Sequence, residues 1–464
     1  MEPAIVSNHA ALSKCAVHFL HYSIQKGKCL DRLELLDDSL PRFLRNYPYP
    51  LHSWPWFIGS RMQQTLKNCV LRVPEFVYRA VRREFEKDIP SFMAFYGVPD
   101  VLAMIFLDNG MKLSQLMLRI DAILTADGLK VLEINAGPSI GGWQIHWMDR
   151  LYRNNESLSP FFADVECSTR NIPLAYIEHI VAQGAQCAKD KDGSVNVVFI
   201  VRESDVSDGI GDAIQGIFQD ALAANGLKGE LSFQTGFDAL TYMPHGIFIG
   251  IKRVSSLVSL SFNTASLGER FVPPLDLYRA FLRGQVFWPD NPFFSVIGDK
   301  RSLAVLRKHM RTDLFSDAER QLIDVFVPWS AIPGPLLTTF RGQTAPLAEV
   351  LRDHRESIVV KAARGAQGED VFIGRLHSME AWEAIISRVM SEGEWLAQEY
   401  CASLPFYGQS GGRGYTIHDV VWGVFGFGEC YGGCWLRLMP KEGGGGIINS
   451  AKGAQEAIVY EVKE

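Results

Sequence analysis

The chain has 464 residues, 47% of them hydrophobic and 21% charged, with a formal net charge of −6. That composition describes a folded protein with ample core, divided into about two to four domains, and excludes a disordered chain. There is no Lys/Arg block and no run of eighteen apolar residues, so neither a nucleic-acid surface nor a transmembrane helix is expected.

Residues 1–115 read as a helical N-terminal region. Ala10–Lys26 and Val77–Lys87 carry apolar residues at three-to-four spacing. Between them, the Pro- and Trp-rich stretch from residue 46 to Trp56 is unsuited to helix or central strand. Its aromatics are expected to pack on a neighbour, with a substrate pocket as the other reading. The N-terminus lacks the pattern of a signal peptide. The eight cysteines are scattered, and Cys430 and Cys434 have no matching pair for zinc. Reduced thiols and a cytoplasmic location are the expectation.

Residues 116–165 hold the most informative stretch, LRIDAILTADGLKVLEINAGPSIGG. RIDAIL alternates, Ala-Asp-Gly turns, and KVLEIN alternates again, which reads as a β-hairpin. Arg119 and Asp121 then share a face, as do Glu133 and Asn135, and register decides whether the pairs meet. Two carboxylates and an amide oxygen suit Mg²⁺, and Arg119 would then face a phosphate. A solvated hairpin explains the spacing equally well. The small-residue loop after Asn135 would let backbone approach a phosphate or substrate closely.

Residues 166–290 read as a separate small three-layer α/β domain. Val195–Val201 is a buried parallel strand, Gly211–Asn225 an amphipathic helix closed by Gly226, and Glu230–Gln234 and Gly246–Ile251 further strands. Arg202, Glu203 and Asp205 follow the first strand, where such sheets bind ligands; a solvated loop is the alternative.

Residues 291–464 follow. Lys300 stands at the start of the helix Ser302–Met310, and Ser316 with Glu319 forms a capping box for a second helix. IVVK ends a strand in Lys361; a loop with Gly365, Gln367 and Gly368 follows, then the returning strand VFIG. A Lys beneath such a loop can hold phosphates while loop N–H groups close over them, and this is not a Walker A loop. After the helix Ser378–Ser391 comes the strand ending in Gln398, Glu399 and Tyr400. The last stretch carries Arg437, a loop Lys441–Gly446 and Asn449. His146 and His418 are candidates for a base.

Arg-x-Asp, eleven residues, Glu-x-Asn and a Gly-rich loop together resemble the metal-binding hairpin of ATP-grasp ligases. Here the hairpin comes first and the Lys-bearing, glycine-rich part last. That order resembles the circularly permuted ATP-grasp group, which includes glutathionylspermidine synthetase-like amide ligases. The resemblance implies an α/β (α+β) fold with the central three-layer domain inserted. It implies ATP and Mg²⁺ as cofactors, with the metal on Asp121, Glu133 and Asn135. Lys300, Lys361, Gly365, Gln367, Gly368 and Asn449 would lie along the phosphates, and Gln398, Glu399 and Tyr400 at the adenine. Arg119 and Arg437 would stabilise the transferring phosphoryl group and an acyl phosphate. The substrates would be a small carboxylate and an amine, namely an amino acid, peptide or polyamine, and a homodimer is compatible with the resemblance. No amidase signature surrounds Cys15, so a stand-alone ligase is expected. A phosphotransferase using the same clamp, or a non-catalytic nucleotide-binding regulator, are the other readings.

Overall fold

The alternation of RIDAIL and KVLEIN becomes strands Met117–Thr125 and Gly128–Ala136 in the computed structural model of the chain. The structure describes the chain except residues 28–29, 31–32, 34, 36–39, 109–111, 204–208, 260–271, 336, 366–367, 369, 410–413 and 443–445. The hairpin does not stand alone with a wet face. Strand Thr416–Phe427 pairs antiparallel with Met117–Thr125 and places it inside an eight-stranded sheet. The main path runs Trp56–Ile58, Gln455–Val462, Cys430–Pro440, Thr416–Phe427, Met117–Thr125, Gly128–Ala136. Segments from both ends of the chain therefore build one sheet.

The N-terminal region is helical, with one difference. The periodic stretch Ala10–Lys26 is split into Pro3–Leu12 and Lys14–Lys26 at Ser13. The Ser13 hydroxyl accepts from the Ala16 N–H at 2.9 Å and donates to the Phe57 carbonyl at 2.9 Å. A side chain that satisfies an orphan helix donor outweighs continued periodicity there. Helix Ser60–Phe85 buries Met62, Leu66, Val70, Val73, Val77, Ala80 and Val81, the three-to-four spacing of one apolar face. In the Pro-rich connector, Trp54 and Trp56 are fully buried and Trp56 opens a three-residue parallel strand. Those two rings are core, and Pro55 precedes an edge strand, where a missing N–H is tolerated.

In the central region, Val197–Ile200 lies between Ser256–Ser259 and Leu231–Gln234, all parallel. Helices Ile172–Cys187 and Ile210–Ala224 pack beside it, and Gly226 takes φ +61 just past the second. Gly246–Ile249 does not join that sheet. It pairs antiparallel with Thr241–Met243 and Lys252–Arg253 in a sheet of its own. The two-residue turn at Pro244 and His245 returns the chain at once, and so local a connection can only be antiparallel. Arg202 and Glu203 are exposed after the Val197–Ile200 strand, and Asp205 lies outside the described residues.

The last part builds a four-stranded antiparallel sheet, ordered Ser330–Ala331, Trp395–Glu399, Ile358–Ala362, Val371–Ile373. Its core is closed by helices Leu347–Asp353 and Met379–Glu392. The capping box forms as read: the Ser316 hydroxyl accepts from Glu319 N, and the Glu319 carboxylate accepts from Ser316 N. Among the described residues no single helix is long and apolar enough to cross a membrane.

Candidate functional site

Register answers the question left open by spacing. Arg119 stands opposite Asn135 and Asp121 opposite Glu133, with a bulge just after Asp121. Two carboxylates facing each other across a hairpin repel, so the arrangement requires cations. Arg119 grips Asp121 bidentately, Nε to Oδ1 at 2.7 Å and Nη2 to Oδ2 at 3.0 Å. Arg437 reaches the same carboxylate from the Cys430–Pro440 strand, Nη2 to Oδ2 at 2.7 Å. Asn135 donates to Oδ2 as well, at 3.2 Å. Burial alone would raise the Asp121 pKa, but the Arg119 and Arg437 guanidiniums overcome it and hold the carboxyl well below the usual range.

Lys361 comes from the separate four-stranded sheet, and Lys300 from the start of helix Arg301–His309, which packs on helix Ser60–Phe85. Lys300 is anchored by its N–H to the Ala363 carbonyl at 3.1 Å, and its Nζ lies 3.2 Å from Glu133 Oε2. The same Nζ donates to the Gly365 carbonyl at 2.7 Å. Lys361 Nζ donates to Gln398 Oε1 at 2.8 Å and, across the cleft, to the Leu132 carbonyl at 3.2 Å. Burial brings the Lys361 pKa down to about 8, partly offset by Glu133. An early hairpin and a late strand thus meet at one point.

Asp121, Glu133, Lys300, Lys361, Gly365, Gly368, Glu399, Tyr400, Arg437 and Asn449 all line one cleft. Arg119, Asn135 and Gln398 do not line it; they stand behind the residues that do. Arg119 spends its third end on the Gly141 carbonyl at 2.8 Å, so it is not free to face a phosphate. Gln398 is fully buried and orients Lys361. The main-chain N–H groups of Glu399 and Tyr400 are committed to the Trp329 and Ser357 carbonyls, at 2.8 Å each. Asn449 caps the short helix Ser450–Lys452 through Ala451 N. Gln367 lies outside the described residues. Gly368, at φ +73, takes a bond from Lys452 Nζ to its carbonyl at 2.8 Å, which draws the two loops together over the cleft. A Cβ at Gly368 would sit 2.9 Å from the Ile447 side chain.

The two histidines are elsewhere. His418 is buried edge-on against His52, and burial lowers its pKa to about 4. His146, also lowered by burial, does not line the cleft.

Sequence reasoning missed Glu456. It stands opposite Arg437 in the sheet, fully buried, accepting from Tyr47 Oη at 2.5 Å and Ser450 Oγ at 2.7 Å. Burial raises its pKa to about 7. Gln144 Nε2 continues the chain to Tyr47 Oη at 3.1 Å, and its Oε1 accepts from Gly142 N at 3.0 Å. The alternation of QEAIVYEV marked Glu456 as sharing a face with Ile458, but nothing local marked its partners. Also missed was Asp299, bonded bidentately by Arg301 and reached by Arg364 Nε at 3.2 Å, which moors the start of the glycine loop.

Among the described residues no group of three or more His, Cys, Asp or Glu is placed to hold a metal ion. The hard-oxygen set here is instead two carboxylates and an amide. Asn135 spends its nitrogen on Asp121, and Glu133 lies half-buried two positions before it on the same strand. The Glu133 carboxylate, which lines the cleft and is shared with Lys300, is the oxygen donor that fits a small divalent cation; Asp121 reaches the cleft with both oxygens already engaged.

The chain is similar to a solved structure of a glutathione synthetase-like effector from Globodera pallida in its apo form, with 12% identity and a TM-score of 0.56, over 100% of this chain and 98% of that one. A protein described as a gamma-glutamylcysteine synthetase from Methylobacillus flagellatus matches at 12% identity and a TM-score of 0.40, over 84% and 88%, too low to argue from. No family model and no curated protein matches the sequence.

Proposed function

We propose that the protein is an ATP-dependent carboxylate–amine ligase with the domain order of a permuted ATP-grasp enzyme. One observation carries the reading: Lys361 and Lys300 meet Leu132 and Glu133 across a single cleft. Two lysine cations beside an acidic hairpin make the layout that a triphosphate with its metal would complete. The glutathione synthetase-like effector supports it at the level of fold.

In this reading Lys361, Lys300 and the backbone of Gly365 and Gly368 receive the phosphates, and the adenine lies against Tyr400 and Cys401. Glu133 would hold Mg²⁺ from the cleft wall, with Asn135 behind it, and the ion would supply neutralisation of charge on the phosphates. Asp121 and Arg119 fix the position of Arg437. The substrate carboxylate oxygen attacks the γ-phosphorus, ADP leaves, and Arg437 stabilises the acyl phosphate. The amine nitrogen then attacks the acyl carbon, phosphate leaves, and the ammonium proton passes to solvent. No side-chain nucleophile is needed, because positioning and electrostatics do the work. The partners are small molecules, with neither nucleic acid nor membrane involved.

The test is ADP release against amino acids, small peptides and polyamines offered singly and in pairs. A ligase releases ADP and phosphate only when acid and amine are both present. Release with a hydroxyl acceptor alone would favour a phosphotransferase. Glu133→Ala should abolish turnover with an unchanged circular dichroism spectrum, and full activity in that variant would refute the metal assignment.

A further inference from the structure

Helix Ile172–Cys187 places His179 and Gln183 one turn apart on one face. That face looks onto the turn Phe427–Cys430 at the far end of the sheet, where the two side chains line a cavity of about 450 Å³. Seven positions of strand take the chain from Cys430 to Arg437, roughly 24 Å at strand rise, so this is not the cleft described above. Ala175, Ala182 and Phe427 give the cavity apolar walls.

Two of its lining side chains each carry a buried acceptor with no partner. Gln183 is 6% exposed, and its Oε1 is buried without a hydrogen bond. His179 Nε2 is buried and unpaired as well. The other ring nitrogen is bonded to the Gln115 main chain, and burial lowers the ring's pKa to about 4, so Nε2 presents a lone pair. Unmet acceptors of this kind are uncommon in native proteins and mark a place where a donor belongs. Among the described lining residues Glu178 and Glu429 supply the only charges, with no Lys or Arg.

We propose that this cavity is a second small-molecule site, for a primary ammonium ion carrying a short aliphatic body. The ammonium is a pure donor with three N–H groups, which matches His179 Nε2, Gln183 Oε1 and the Glu178 carboxylate. The methylenes lie against Phe427 and the alanines. The inference stands whether or not the ligase reading holds.

The experiment is a titration of the full chain, ¹⁵N-labelled at histidine, with n-butylamine, and in parallel with n-butanol and butyrate. The His179 Nε2 resonance is expected to move saturably with butylamine and not with the other two. Gln183→Leu is expected to weaken binding about tenfold or more, since one charged donor then goes unmet. Glu178→Gln, at a partly exposed position that does not threaten folding, should weaken it in a salt-dependent way. Absence of saturation at tens of millimolar, an equal response to butyrate or butanol, or unchanged binding in Glu178→Gln would each overturn the proposal.

Discussion

Asp121 and Lys361 show how one residue can serve a site at the expense of the fold. Lys361 is 8% exposed, and burial lowers its pKa from 10.5 to about 8. At pH 7 it is charged in both folded and unfolded chains, and only the folded chain bears the desolvation. Lys361→Met should therefore raise stability by about 1–3 kcal/mol in urea unfolding at pH 7 while nucleotide-dependent turnover is lost. Glu456 has the opposite sign of shift. Its folded pKa of about 7 lies above the ordinary 4.5, so its contribution is complete below pH 4.5 and is lost as pH rises through 7. Glu456→Gln keeps the packing without the titration. Unfolding curves of the two proteins should diverge across pH 4.5–7, with the variant gaining on the order of 3 kcal/mol relative to wild type by pH 8. Parallel pH profiles would show that Glu456 is not the titrating group.

At the scale of the element, the small loop after the hairpin is set by contact with the sheet. Gly142 sits at φ +94, and a Cβ there would lie 2.2 Å from the Trp435 ring. Gly142→Ala combines backbone strain with a clash against a buried indole and is expected to cost more than about 3 kcal/mol, measured by thermal or urea unfolding. The sequence showed that this loop was special but not that Trp435 was the reason. Elements marked by local chemistry were legible in that way: the hairpin, the Ser316–Glu319 box, the Lys361 strand and its return. Legible too, through spacing, was the sharing of faces by Asp121 and Arg119. What was not legible came from neighbours distant in the chain. Arg119 reads as a free cation until Asp121 and Gly141 are seen to occupy all of it, and Glu456 is ordinary until Tyr47 reaches it. The Ser13 break escaped because Phe57, which accepts from its hydroxyl, belongs to another segment.

At the scale of the molecule, the cleft is an agreement between segments that no single region could make. The Asp121 strand is held in the sheet by Thr416–Phe427, and its carboxylate is shared by Arg119 of its own strand and Arg437 from near the end of the chain. The cores beneath are separate. The residues packed around Trp382 and Leu351 make one cluster, and those around Phe199, Val77 and Trp422 belong to another. Two cores joined at a cleft, with loops drawn together by Lys452 and Gly368, are what a protein needs if its halves must part to admit a ligand.

The pairing of Met117–Thr125 with a partner on the order of 300 residues later has a kinetic consequence. Closing so long a loop is slow and comes late, after local helices and hairpins are in place. Competence to take up nucleotide should then be the last property a refolding chain acquires. A fluorescent ATP analogue mixed with protein diluted out of urea should gain signal only with the slowest phase, well behind the recovery of helical ellipticity. If the dye reported occupancy in the earliest phase, the early hairpin would have to be competent without its distant partner, and the union of the two chain ends would be an ornament of the finished protein, not the event that makes it work.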